Sequence, residues 1–124
     1  MNATRLGRVQ LRIMQTLWKK GRSSARGITD ELNLSEPIAH STVQTLLRGL
    51  EDKGAIAHDV EERTFVFYPM VREDKYKRSV TKELVQRVFG GSVGDLMAHL
   101  LKNEKVSPLE LRELRRLIDE RRKD

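Results

Sequence analysis

Between Ser41 and Gly54 the apolar residues Val43, Leu46, Leu47 and Leu50 recur at i, i+3, i+4 and i+7. Only a helix turns that spacing onto one face. With that face inward, Ser41, Thr42, Gln44, Thr45 and Arg48 point the other way. Ser41 and Gln44 also fit a capping box, and Gly54 fits the residue just past the end, with Lys53 beside the negative pole. A buried stripe backed by short hydroxyls, an amide and one guanidinium limits the fold to one in which this helix lies on a small core and shows its other side to a partner.

The flanking residues supply the rest of that core. Leu6, Val9, Ile13, Met14, Leu17 and Trp18 predict an amphipathic helix over about 6–19, stopped near Gly21. Ser23 and Ser24 offer N-cap oxygens to a short helix carrying Ala25, Ile28 and Leu32. The stretch 33–39, with Pro37, reads as a loop. Two strands follow, at 55–60 and 64–68, the second alternating Phe65 and Phe67 with Thr64 and Val66. The residues between them hold no Asn-Gly or Asp-Gly, so the turn type is not given by its residues.

From Arg72 the pattern is helical again. Tyr76, Val80, Leu84 and Val88 step by four, with Val85 and Phe89 beside them, and Gly90-Gly91 ends the run. Ser92 to Asp95 caps a helix bearing Val93, Leu96, Met97, Leu100 and Leu101. Ser107-Pro108-Leu109-Glu110 starts another, with Leu111, Leu114, Leu117 and Ile118. The expected architecture is mainly α with a small β-hairpin wing. Residues 1–71 form a winged helix-turn-helix, and residues 72–124 a three-helix region. The stripes of that region (Val88, Phe89, Leu96, Met97, Leu100, Leu101, Leu114, Leu117 and Ile118) are too rich for about fifty residues to bury alone. They are expected to form a homodimer, with packing back onto the first domain as the alternative.

Charge and composition exclude several functions. The 124 residues carry a net charge of +6 and no cysteine. Disulfide, thiolate-metal and Cys-nucleophile chemistry are therefore absent. His40, His58 and His99 make no H-x-x-x-H pair, and no Gly-rich loop precedes a helix, so neither enzyme, metal nor cofactor is expected. The longest uncharged run, 37–47, is eleven residues, short of the ~20 a membrane helix needs. Arg5, Arg8 and Arg12 are followed by no apolar signal segment, and a cytoplasmic protein is expected. Residues 1–29 hold seven Lys/Arg and no acid, whereas 30–62 hold eight acids and two bases. The basic first segment permits nucleic-acid binding without establishing it.

The outward face at 41–48 carries the functional reading. The N-terminal part of a recognition helix reaches base edges. Gln pairs with adenine, Arg with guanine, and Thr meets the thymine methyl. Thr45 and Arg48 are not needed by the cap. Ser41, Thr42 and Gln44 serve either a cap, a plain surface or DNA. Arg63 at the hairpin tip suits a wing contact or an ion pair with Glu61 or Glu62, and Asp59, Glu61 and Glu62 argue against deep insertion. Arg5, Arg8 or Arg12 would contact backbone phosphates. Two other readings stand beside this one. The first is a one-component winged-helix regulator with a small ligand, and the second is a protein-interaction module that binds no DNA.

These residues resemble the penicillinase-repressor family of the BlaI/MecI/CopY type. Residues 11–18 (LRIMQTLW) are similar to its first-helix pattern. Residues 41–54 (STVQTLLRGLEDKG) resemble its recognition helix, and Phe65-Val66-Phe67-Tyr68-Pro69 its second wing strand. Residues 91–124 follow its dimerisation region in length and pattern. The resemblance implies a homodimeric repressor on a palindromic double-stranded operator, typically of the TACA/TGTA kind. It also implies relief by a membrane sensor metalloprotease that cuts within the dimerisation helices. By register the cut falls at His99-Leu100, where that branch has Asn-Phe. The C-terminal Cys-x-Cys pair of the copper-responsive branch is absent. Gln10 stands where the family has an acid, and Glu62-Arg63 where its wing tip has Gly-Arg.

Overall fold

The computed structural model describes residues 6–123; Arg5 lies outside the described residues. The elements are α1 (Arg8–Lys20), β1 (Ser23–Ser24), α2 (Ala25–Asn33), α3 (His40–Asp52), β2 (Ile56–Glu61), β3 (Thr64–Pro69), α4 (Glu73–Val88), α5 (Val93–Asn103) and α6 (Pro108–Arg122). The chain is thus mainly α with a small antiparallel sheet, in the order of a winged helix-turn-helix followed by helices. It divides into two compact units, 1–83 and 84–124. The division read from the sequence fell at 71/72. The difference is the first part of α4, where Tyr76 lies 5.7 Å from the Trp18 ring and the Trp18 indole N–H donates to the Val71 carbonyl at 2.8 Å. Burial of the Tyr76 hydroxyl group's surroundings raises its pKa above the ordinary value.

The first unit has a closed core. Ile13, Met14 and Leu17 of α1 meet Ile28 and Leu32 of α2, Val43, Leu47 and Leu50 of α3, and Ile56 and Phe67 of the sheet. The apolar stripes predicted for the first three helices are the faces that meet. Burying one such side chain is worth about 1.5–3 kcal/mol, so these ten together outweigh any surface pairing.

Helix ends follow local chemistry, with one correction. Gly21 stops α1 at φ 84°, and the Ser24 hydroxyl caps α2 by accepting the Gly27 N–H at 3.1 Å. A Cβ on Gly27 would lie 2.5 Å from Ser23 Oγ, so a larger residue there would have to turn that hydroxyl aside. The Ser41–Gln44 capping box does not form. Helix α3 starts earlier, with Ala39 as its N-cap and no side-chain cap. The preceding loop sets that start: the Asn33 amide brackets Ile38, donating to its carbonyl at 3.0 Å and accepting from its N–H at 3.1 Å. The imidazole of His40 bonds the buried Thr29 hydroxyl at 2.8 Å. At the other end Gly54, at φ 78°, donates to Glu51, while the Ala55 N–H reaches Leu50 at 2.9 Å. This is the glycine-ended helix stop expected from the sequence.

The sheet has three strands in the order β1-β3-β2, not two. The pair Ser23–Ser24 adds to β3 opposite Phe67 and Val66; two serines carry no strand periodicity, so tertiary pairing alone makes them a strand. The wing turn is tight. Glu61 pairs with Thr64, leaving Glu62 and Arg63 as a two-residue loop, with φ 50° and 68°. A two-residue hairpin of type I′ demands positive φ at both positions. Two non-glycine residues accept it here, at a cost of order 1–2 kcal/mol each.

In the second unit Ser92 caps α5 through the Asp95 N–H at 3.0 Å. Ser107 and Glu110 make the expected capping box on α6, with Pro108 in its first turn. No residue of α5 or α6 is buried. The four-step stripe of α4 is only partly covered: Tyr76 and Val85 are buried, while Leu84 and Val88 are exposed. Among the described residues no helix is long and apolar enough to cross a membrane.

Candidate nucleic-acid interface

Helix α3 and the wing enclose an open groove of about 630 Å³. Gln44 and Arg48 line it from α3, Arg63 from the turn, and Arg26 from the first turn of α2. Phe65, Phe67 and His58 form its wing wall, and Glu51 and Asp52 close its far end. Three guanidiniums thus face one concavity with two carboxylates.

Each predicted residue has a definite place. Ser41, Thr42, Gln44, Thr45 and Arg48 are all exposed on α3, opposite its buried stripe. Because Ala39 caps the helix, neither the Ser41 hydroxyl nor the Gln44 amide is spent on it. The Thr45 hydroxyl donates to the Ser41 carbonyl at 3.1 Å and accepts from Arg48 at 3.4 Å. Gln44, Arg48 and Arg63 share the groove; Ser41, Thr42 and Thr45 lie beside it on the same helix.

Arg8 and Arg12 are not brought to this groove. Arg8 makes a two-pronged pair with Glu36 at 2.7 and 3.1 Å. Arg12 donates to the Leu32 carbonyl at 3.0 Å and to Ser35 Oγ at 2.7 Å. Both tie α1 to the loop after α2. The Arg8 guanidinium holds the Glu36 carboxyl below its usual range. Gln10, in place of the family's acid, still acts as an acceptor, taking the Gly7 N–H at 2.9 Å and Lys53 Nζ at 3.3 Å.

The wing acids are arranged differently from the sequence reading. Asp59 and Glu61 sit two apart on one face of β2, opposite the face of His58 and Val60. Arg22 bonds both, at 2.9 and 2.7 Å, and lies 5.1 Å from the Tyr68 ring centre. Those carboxylates raise the Arg22 pKa further. Among the described residues the partner of Glu61 is therefore Arg22, and Arg63 makes no ion pair with Glu61 or Glu62. Two of the acids that argued against wing insertion, Asp59 and Glu61, are turned to the outer face and countered there, while Glu62 sits in the turn beside Arg63.

Sequence reasoning missed Arg22, Arg26, His58 and Phe65. Arg26 had a signal: it follows the Ser24 cap by two residues, which puts it in a first turn. The other three depend on hairpin register, which an unassigned turn type does not supply.

The residues expected to pair two chains are uncovered or partly covered. Val88 is 67 % exposed, Leu117 47 % and Ile118 53 %. Leu100 and Leu101 are also exposed, and Phe89, Leu96, Met97 and Leu114 are half-buried. His99 and Leu100 lie in mid-helix in α5, where the Asn103 amide donates to the His99 carbonyl at 2.9 Å and the Phe89 ring lies 5.7 Å from His99. No group of three or more metal-ligating side chains occurs among the described residues.

Comparison with known proteins agrees with this geometry. A penicillinase repressor from Bacillus licheniformis is 28 % identical over 111 residues, covering 90 % of this chain and 87 % of the relative. The methicillin resistance regulatory protein MecI of Staphylococcus aureus (strain N315) is 27 % identical over 109 residues, covering 88 % and 89 %. The solution structure of the DNA-binding domain of the repressor BlaI superposes with a TM-score of 0.54 at 30 % identity, over 60 % of this chain and 90 % of that one. A MarR family protein from Bacillus stearothermophilus shares the fold, with a TM-score of 0.53 at 18 % identity over 96 % of this chain and 74 % of that one. The family model for the penicillinase repressor matches residues 6–120, and the chain belongs to that family.

Proposed function

We propose that this chain is a homodimeric transcriptional repressor whose α3 reads one half of a palindromic operator while its wing holds the flanking backbone. The observation that carries the reading is the groove between α3 and the wing, where Gln44, Arg48 and Arg63 converge on one open face. Those are the side-chain types that pair with base edges and phosphates. Arg26 adds a fourth polar contact from α2, while Arg8 and Arg12 serve the fold.

Two copies would cover the exposed leucines, valine and isoleucine of the second unit and carry two linked half-site readers. Linked binding exceeds either affinity by roughly 10²–10⁴ when both sites engage. Separating the copies therefore releases the operator, which gives the repressor its off switch. We assign that switch to a cut or loosening in α5, at His99-Leu100, by a membrane sensor metalloprotease. A peptide bond inside a regular helix is not extended, so local opening of α5 must precede the cut.

The test is selection of duplexes from a random library, followed by titration of the enriched duplex and a shuffled control at several salt concentrations. A repressor retains the enriched sequence far more tightly, and both affinities fall steeply with salt. Equal retention of the two duplexes overturns base reading. A monomer in sedimentation at the concentration that saturates the duplex overturns the dimer.

A further inference from the structure

We propose that Glu51, His58 and Phe65 form a clasp that sets the angle of the wing to α3, making His58 and Glu51 positioning residues for DNA binding. The inference rests on the repressor reading above and adds to it how the two parts of the reader are held in register.

The outer half of the wing needs such a device. Ile56 and Phe67 are buried at its base, but from Asp59 to Phe65 every residue of the hairpin is exposed. Strand β1 pairs only with Val66 and Phe67, so beyond that point the ribbon has two strands. A lone two-stranded ribbon is marginal in water. It would swing about its base and carry Arg63 with it.

Three side chains oppose that swing. A carboxylate only accepts hydrogen bonds, so the His58 ring carries its proton on Nδ1 and donates it to Glu51 Oε1 at 2.7 Å. Glu51 lies three residues after Arg48, on the same side of α3. The Phe65 ring stacks on His58 with centres 4.0 Å apart and planes 13° apart, and Phe67 flanks the pair at 5.6 Å from His58. Phe65 remains 51 % exposed, so burial alone does not explain its place. It stands two residues from Arg63. The connection runs from the recognition helix through a hydrogen bond to the wing, then through a ring stack to the strand that emerges from the turn. The same bond occupies a groove carboxylate that would otherwise repel phosphate. Half-exposed polar pairs add little to stability, so what the clasp supplies is orientation.

Two measurements on the full chain test this. In amide hydrogen exchange, His58→Ala is expected to speed exchange at residues 59–66 by about tenfold while the amides of Ile13, Leu17 and Leu50 stay protected. Glu51→Ala, which removes the acceptor, is expected to speed the same amides. In a double-mutant cycle on the enriched duplex, the loss caused by Arg63→Ala is expected to shrink by about threefold or more in the His58→Ala background. Unchanged wing exchange overturns the clasp. An Arg63→Ala loss of equal size in both backgrounds overturns its positioning role. If the wild-type chain enriches no duplex, the repressor reading fails, and the exchange result alone then decides whether the clasp orders the wing.

Discussion

The two units of this chain are built from the same kind of helix and finish differently. In unit 1 the stripes of α1, α2 and α3 close on one another, and Ile13, Met14, Leu17, Val43 and Leu50 have no exposed surface. In unit 2 the stripes of α5 and α6 are as regular, yet neither helix has a buried residue. Amphipathic periodicity therefore states that a face wants cover; it does not say who supplies it. Three helices crossing around a sheet supply it internally. The C-terminal helices leave leucines that a second copy is proposed to cover.

The sharpest way to break this contrast is one substitution on each side. Leu50→Ala deletes fully buried methyl groups and leaves a cavity, at an expected cost of about 2–5 kcal/mol in all. Thermal melting of the first unit would fall at every protein concentration. Leu100→Asp is expected to leave that melt in place, abolish association in sedimentation, and weaken duplex binding by roughly 10²-fold or more. A Leu100→Asp chain that still dimerises with unchanged affinity would remove the distinction between the units.

Smaller effects sharpen it within the first unit, where the same residues do not serve fold and binding equally. Arg48→Ala is expected to cost ~1–3 kcal/mol on the enriched duplex and little on shuffled DNA, read by anisotropy. Equal losses on both would make Arg48 a phosphate contact. Arg63→Gly is expected to move two measurements in opposite directions. It relieves the left-handed strain at φ 68° and raises the melting midpoint by about 0.5–1 kcal/mol in stability, while duplex affinity falls. The smallest effect concerns Glu36, whose carboxyl is held low by Arg8. Its tie of α1 to the loop before α3 is intact above the ordinary carboxylate range and fades as pH falls through the lowered value. Glu36→Gln should flatten that part of an acid titration monitored by melting.

Much of this was legible in the residues. The positions of six helices and two strands, the glycine stop after α3, the serine caps of α2, α5 and α6, and the outward set on α3 all follow from spacing and local chemistry. What misled was competition between local signals. Ser41 and Gln44 have the form of a capping box, but the Asn33 bracket and the His40–Thr29 bond start the helix earlier, at a position with no capping side chain. Arg8 and Arg12 look like free cations in a stretch without acids; their acid, Glu36, comes from the next segment.

By itself the sequence determined which faces are apolar, where helices stop and which side chains α3 turns outward, because each of these depends on residues within a turn or two. Only the tertiary structure decided the third strand, the two-residue wing turn, the placement of Asp59 and Glu61 under Arg22, and the meeting of Glu51, His58 and Phe65. Those depend on hairpin register, and register is a property of two strands together: a shift of one residue sends every side chain to the opposite face.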